Sequence, residues 1–248
     1  MGNKRNIRCI LEYDGSRFAG WQIQPDCRTV QGVVEEGLER ILGHSVRLTA
    51  AGRTDAGVHA TGQVVNFETS SDLPIERMVR ALNGVLPRDV STVTAAVADR
   101  SFNARFDAIA RTYQYTITDR RISVGRQYAW HVKYRLDREL LAGSTRPLSG
   151  PCDLRGFSRG GDDDDYSTVV HSASWSFEEN RTVFEICAVR FFHHAVRSIV
   201  GTAVEVARGR IAPDSFERIL ADRDRSLAGP TAQALGLCLV HVDYGDTS

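Results

Sequence analysis

Between residues 6 and 98 the apolar residues alternate between two periods, and no other feature restricts the fold as much. Residues 6–14, NIRCILEYD, put Ile7, Cys9, Leu11 and Tyr13 on one face, the pattern of a half-buried strand. Residues 29–43, TVQGVVEEGLERILG, put Val30, Val33, Val34, Leu38 and Ile41 at helical spacing, with Thr29 suited to the N-cap and Gly43 to the stop. VRLTA (46–50) and QVVNFET (63–69) predict two more strands. IERMVRALNGVL (75–86) predicts a helix with Pro74 in its first turn, and STVTAAVA (91–98) a strand. The order is β-α-β-β-α-β, the ferredoxin-like pattern.

A similar order follows. RTYQYTIT (111–118) reads as a strand and DRELLAG (137–143) as a short helix. TVVHSASWSFE (168–178) and TVFEICAVRFF (182–192) predict a hairpin around ENR. AVRSIVGTAVEVARG (195–209) and the stretch from Pro213 to Ala221 predict helices, and GLCLVHVDY (236–244) a closing strand. The expected fold class is α+β, in two halves spanning 1–104 and 105–248, with no sequence repeat between them.

A chain of 248 residues can hold one large domain or two small ones. No stretch approaches the length of a membrane span, and MGNKRNIRCILEYDG lacks the apolar core of a signal peptide. Cys9, Cys27, Cys152, Cys187 and Cys238 are scattered and form no CxxC pair. That argues against a disulfide framework or a zinc site and for a reducing compartment, so the expected location is the cytoplasm. Net charge is zero, yet Lys4 and Lys133 are the only lysines among 31 basic residues. Arginine's planar fork suits phosphate and carboxylate recognition, although a genomic bias toward arginine gives the same count.

The candidate chemistry centres on AGRTDAGVHATGQV (51–64), which joins two predicted strands. Asp55 stands in a glycine-rich turn beside Arg53, with His59 four residues on. An acid in a tight turn is often merely solvated. An acid near an arginine stays ionised, and an ionised carboxylate can be a nucleophile, a base or a metal ligand. Asp55 and His59 alone are too few for a metal.

GFSRG (156–160) matches GxSxG, which requires a strand before it and a helix after it; GDDDDYS follows instead. The run Asp162–Asp165 suits a solvated loop better than a metal site. Arg197 lies at the edge of the apolar stripe of the helix at 195–209, placed either to snorkel or to reach a cleft. Tyr113 and Tyr115 share a strand face, as core residues do or as a platform for a base. Arg100, Arg105, Arg111, Arg120 and Arg121 make this stretch locally basic, the best candidate for a phosphate-binding face.

Together, EYDGSRFAGWQIQP (12–25), AGRTDAGVHATGQV (51–64), FNARFDAIARTYQY (102–115), FFHHAVRSIVGTAVEVARG (191–209) and ALGLCLVHVDY (234–244) resemble the tRNA pseudouridine synthase A family. The resemblance implies that uridine in the anticodon arm of tRNA is isomerised to pseudouridine. Asp55 falls on the family's catalytic aspartate. Tyr113 matches the tyrosine that packs on the target base, and Arg197 the basic residue paired with the aspartate. Arg53 matches an arginine that holds the flipped-out state or the backbone, and Leu237 an apolar residue near the base. The resemblance further implies a homodimer without metal or cofactor. Its fold would be two ferredoxin-like halves around a central antiparallel sheet, with the active site in the cleft between them.

Two features depart from the family pattern. GGDDDDYSTVVHSAS, with His171, is acidic where relatives tend to be basic and proline-containing, and Asn66 stands where a histidine is common. A non-catalytic RNA-binding module of ferredoxin-like fold and a metal-dependent hydrolase using Asp162–Asp165 are the competing classes. The first lacks the expected aromatic RNA-binding signature. Neither accounts for GRTDAGVH.

Overall fold

The computed structural model describes residues 4–160 and 165–245. In chain order its elements are β1 (Arg5–Tyr13), α1 (Val30–Leu42), β2 (Thr49–Ala50), β3 (His59–Thr69), α2 (Ile75–Val85), β4 (Val90–Ala98), β5 (Ala110–Thr118), β6 (Trp130–His131), α3 (Arg138–Ser144), β7 (Gly150–Asp153), β8 (Ser167–Phe177), β9 (Arg181–Ala188), α4 (Ala195–Ala207), α5 (Ser215–Asp222) and β10 (Leu237–Asp243). The chain is thus mixed α+β. It divides into two compact units, one of Met1–Ile109 with Leu239–Ser248 and one of Ala110–Cys238.

In the first unit the strands run in the order β4-β1-β3-β10, with β2 also on β3. β1 is antiparallel to both β3 and β4. Its alternating residues Ile7, Cys9, Leu11 and Tyr13 are all buried, as the period-2 pattern requires. Thr29 caps α1 by accepting from the Gly32 N–H, and Gly43 ends it at φ 75°, a left-handed conformation that glycine adopts at little cost. Pro74 is the N-cap of α2, one position before the helix. Strand β2 is shorter than the pattern predicts. The Leu48 N–H donates to Glu35 Oε1 of α1 (2.9 Å), so a helix side chain occupies backbone that would otherwise extend the ladder.

The second unit's strands run β5-β9-β8-β7, antiparallel throughout, with β6 pairing β5 in parallel. Strand β9 stops at Ala188, short of the predicted end, because the Thr168 side chain takes over: its Oγ1 accepts from the Arg190 N–H (3.1 Å) and donates to the Arg190 carbonyl (2.8 Å). Pairing of β8 with β9 shifts register between Val170 and Ser172, which makes His171 the extra residue of a bulge. Nearly every residue of α4 is buried, the property of a core helix.

The observed division differs from an expected cut after residue 104. Residues 105–109 and the last strand from Leu239 on fall in the first unit. The reason is local: β10 lies beside β3, where Gly62 has no side chain and a Cβ would come within 2.3 Å of the Val240 carbonyl oxygen. The Ile109 N–H donates to the Asp243 carbonyl (2.9 Å), and Tyr244 Oη donates to the Ala104 carbonyl (2.7 Å).

Candidate active site

Asp55 sits half-buried in the connection between β2 and β3, with exposed Arg53 before it. The turn closes through the Val58 N–H, which donates to the Asp55 carbonyl (3.1 Å), and Gly57 takes φ +79°. Thr54, next to the acid, is buried, and its hydroxyl meets Tyr13 Oη at 2.8 Å. Gln63 Nε2 donates to the Gly52 carbonyl (2.8 Å) from the floor of the sheet.

A second segment, residues 14–28, clamps this turn from outside. The Trp21 N–H donates to the Thr54 carbonyl (2.9 Å) and the Gly57 N–H to the Phe18 carbonyl (3.3 Å). At Gly15 a Cβ would lie 1.9 Å from the Val58 carbonyl oxygen; at Gly20, with φ +103°, it would lie 2.9 Å from the Thr54 carbonyl oxygen. Both glycines therefore admit backbone where a side chain would collide. His59 is buried, and its Nδ1 accepts from the Gly15 N–H (3.0 Å) with Asp14 Oδ1 3.2 Å away. The result is a carboxylate on backbone fixed from two sides, which lowers the cost of holding it in one orientation.

The second unit carries Tyr113, Arg111, Arg197 and Leu237. Tyr113 on β5 is opposite Ile186 of β9, and its ring packs edge-on to Phe191 with centroids 5.2 Å apart. Its neighbour on the same face, Tyr115, is a core residue: it is fully buried, and its Oη donates to the Gln233 carbonyl (2.6 Å). Burial pushes the Tyr115 phenol far above its ordinary range, with the charge of Arg197 opposing the shift.

Arg197 lies in the first turn of α4, half-buried. Its Nε donates to the Ala232 carbonyl (2.9 Å), while the Ala232 N–H donates to the Arg197 carbonyl (3.0 Å). This reciprocal pair fixes the plane of the guanidinium. α4 can approach the chain at 229–232 only because Gly201 has no Cβ, which would fall 1.8 Å from the Pro230 carbonyl oxygen.

Arg111 is buried, and its Nη1 donates to the Val189 carbonyl (2.7 Å), whereas Arg105, in the first unit, is exposed. Leu237 is buried at the start of β10. Ser158 is no nucleophile elbow: it is buried, donates to the Leu154 carbonyl (2.7 Å) and follows a single 3-10 turn, and among the described residues between it and β8 no helix begins. Of the acidic run, Asp162–Asp164 lie outside the described residues. Asp165 is exposed and pairs with Arg190. Ser167 and Arg190 hold the Asp165 carboxyl down at about 2.

Sequence reasoning missed the clamp. The glycines of EYDGSRFAGWQ mark it, but nothing along the chain names the Asp55 turn as their partner. It also missed what Asn66 does. Asn66 Nδ2 donates to Asn6 Oδ1 (3.0 Å) and to the Phe102 carbonyl (3.1 Å), while its Oδ1 accepts from the Ala104 N–H (2.9 Å).

Comparison with known proteins bears on this geometry. A family model described as tRNA pseudouridine synthase matches residues 10–107 and 145–245, which include Asp55, its clamp, Arg197 and Leu237. The tRNA pseudouridine synthase A of Moorella thermoacetica is 42% identical over 243 residues, covering 96% of this chain and 99% of that protein. That of Geotalea daltonii is 40% identical over 244 residues, covering 97% and 100%. That of Caldicellulosiruptor saccharolyticus is 38% identical over 243 residues, covering 97% and 100%.

Proposed function

This chain belongs to the tRNA pseudouridine synthase A family, a family of isomerases, and on that premise we propose that it converts uridine to pseudouridine in the anticodon arm of tRNA, at positions 38, 39 and 40, with Asp55 as the nucleophile. The observation that carries the reading is the clamped turn. It holds one carboxylate on preorganised backbone, inside a stretch the family model matches.

The reaction breaks the bond between N1 and C1′, turns the uracil and joins C5 to C1′. C5 loses a proton to solvent and N1 gains one, so no atom is gained or lost. Asp55 supplies the electron pair, attacking either C6 of the base or C1′ of the sugar. A uridine inside a stem must first leave its stack. Arg53 suits holding the displaced backbone. Tyr113 packs on the base and serves proton transfer at C5. By the family resemblance Arg197 takes the role of the basic residue that accompanies the aspartate, and Leu237 that of an apolar neighbour of the base. The ferredoxin-like reading is supported in the first unit by β1 lying between β4 and β3 and by β2 pairing β3. The family resemblance supports a homodimer needing neither metal nor cofactor, and the scattered cysteines support a reducing compartment, the cytoplasm. Among the described residues no helix is long and apolar enough to cross a membrane.

The test is Asp55→Asn, which keeps shape and hydrogen-bonding capacity and removes the charge. Single-turnover release of tritium from C5-labelled uridine tRNA should fall by orders of magnitude. Affinity for the same tRNA should change by less than about tenfold, or roughly 1.4 kcal/mol. Near-wild-type release would remove Asp55 from the mechanism. A wild type that binds tRNA and releases nothing would favour a non-catalytic RNA-binding module.

A further inference from the structure

The turn at residues 103–107 of the first unit is held on every side. Asn103 Oδ1 accepts from the N–H groups of Arg105 and Phe106 (3.0 and 3.1 Å), and Asp107 Oδ2 accepts from the Asn103 N–H (2.8 Å). The Asp107 N–H closes the turn on the Asn103 carbonyl (3.0 Å). Ala104 at its centre is fully buried, its N–H on Asn66 Oδ1 (2.9 Å) and its carbonyl on Tyr244 Oη (2.7 Å). Just before it, the Phe102 ring lies 5.1 Å from that of Tyr244, with the Arg8 guanidinium over both.

Backbone fixed this firmly presents a side chain that the fold does not use. Phe106 is 78% exposed, and the Arg105 guanidinium carbon stands 5.6 Å from its ring centroid. A single exposed apolar residue is ordinary; one on rigid backbone with an arginine at its face is not explained by packing. An aromatic face beside a guanidinium offers stacking to an unpaired base and a fork to the adjoining phosphate. The fixed turn lowers the ordering cost of such a contact.

The surroundings favour RNA over a protein partner. Between Asp99 and Ile109 the other exposed residues, Asp99, Arg100, Ser101, Arg105 and Asp107, are polar; Ile109 and, before the stretch, Val97 are the exposed apolar ones, and the two carboxylates accept hydrogen bonds locally, Asp99 from Ser101 and Asp107 from Asn103. A protein contact would call for a wider apolar patch.

We infer that Arg105 and Phe106 form a preorganised RNA contact, Phe106 stacking on an unpaired base and Arg105 holding the neighbouring phosphate. This rests on the proposed function only in taking the RNA to be tRNA.

The experiment is filter binding of folded total tRNA across a range of salt, beside thermal unfolding and sedimentation. Phe106→Ala should weaken binding by about tenfold with an unchanged unfolding midpoint. Phe106→Trp should keep its affinity, with added indole fluorescence that tRNA quenches. Arg105→Ala should flatten the log–log salt slope by about one. Wild-type affinity in Phe106→Ala would overturn the contact, and so would a change in sedimentation without loss of affinity, which would assign the ring to a protein interface. Tritium release separates the two readings. Release by the wild type with unaltered binding by Phe106→Ala removes the contact and keeps the isomerase. No release by the wild type with weakened binding by Phe106→Ala keeps the contact and removes the isomerase.

Discussion

The proposed mechanism asks two things of Arg197. Its Nε–H is fixed on the Ala232 carbonyl, and pairing with a carboxylate would need the terminal nitrogens of the same plane. A lysine can do only one of these, because its ammonium is a point charge on a flexible stem. Arg197→Lys should therefore fold, bind tRNA within about threefold of wild type and lose on the order of a hundredfold in single-turnover tritium release, the range seen when a preorganised charge is misplaced. Full activity would make Arg197 a snorkelling residue at the edge of its helix. The helical period already puts Arg197 at that edge, and an acid among glycines already singles out Asp55. What one-dimensional reasoning cannot supply is a glycine's partner. Gly15 and Gly20 are needed because Val58 and Thr54 pass close by, a property of the folded backbone and not of the residues beside them.

The segment between β1 and α1 does most of the positioning in the first unit, and an ion pair holds its far end. Arg28 makes two 2.8 Å bonds to the Asp89 carboxylate, stacks on Phe18 at 4.0 Å, and its carbonyl accepts from the Ala19 N–H (2.9 Å). The bonds from Arg28 hold the Asp89 carboxyl below the usual carboxylate range. A depressed folded pKa means stability that is present above the unfolded value, near 3.9, and lost as pH falls through the folded one. Asp89→Asn should lower the urea midpoint at pH 7, and the gap to wild type should narrow steadily below about pH 4. A gap independent of pH would show that shape and not charge matters there. At this scale capped, amphipathic elements are legible: α1 begins after Thr29 and stops at Gly43 as its sequence indicates. Elements set by tertiary partners are not. Two-residue β6 is too short for any period, β7 contains Gly150 and Pro151 and reads as a turn, and β2 is cut short by Glu35 of α1.

For the whole molecule, zero net charge conceals how unequally the arginines are employed. Arg5 donates to the Leu73 carbonyl, Arg28 pairs with Asp89, Arg111 holds the Val189 carbonyl, and Arg208 lies 3.6 Å from the Tyr134 ring centroid. Such residues belong to the fold, and no count from composition distinguishes them from arginines held out to a ligand. Nor does the sequence order show that β10, last in the chain, lies beside β3. Binding of tRNA should nevertheless follow the exposed arginines and not the net charge, because phosphates release counterions wherever a guanidinium meets them. The wild type should then lose affinity as salt rises, with a log–log slope of about −2 to −4 if three to five phosphates are touched. Arg111 supplies the contrast. It is buried and bonded within its own unit, so Arg111→Ala should lower the unfolding midpoint and leave that slope within error of wild type. Filter binding at four or more salt concentrations beside a thermal melt measures both quantities. A flatter slope in Arg111→Ala with an unchanged melt would place that guanidinium on phosphate, and a flat wild-type slope would mean that tRNA is held by something other than charge.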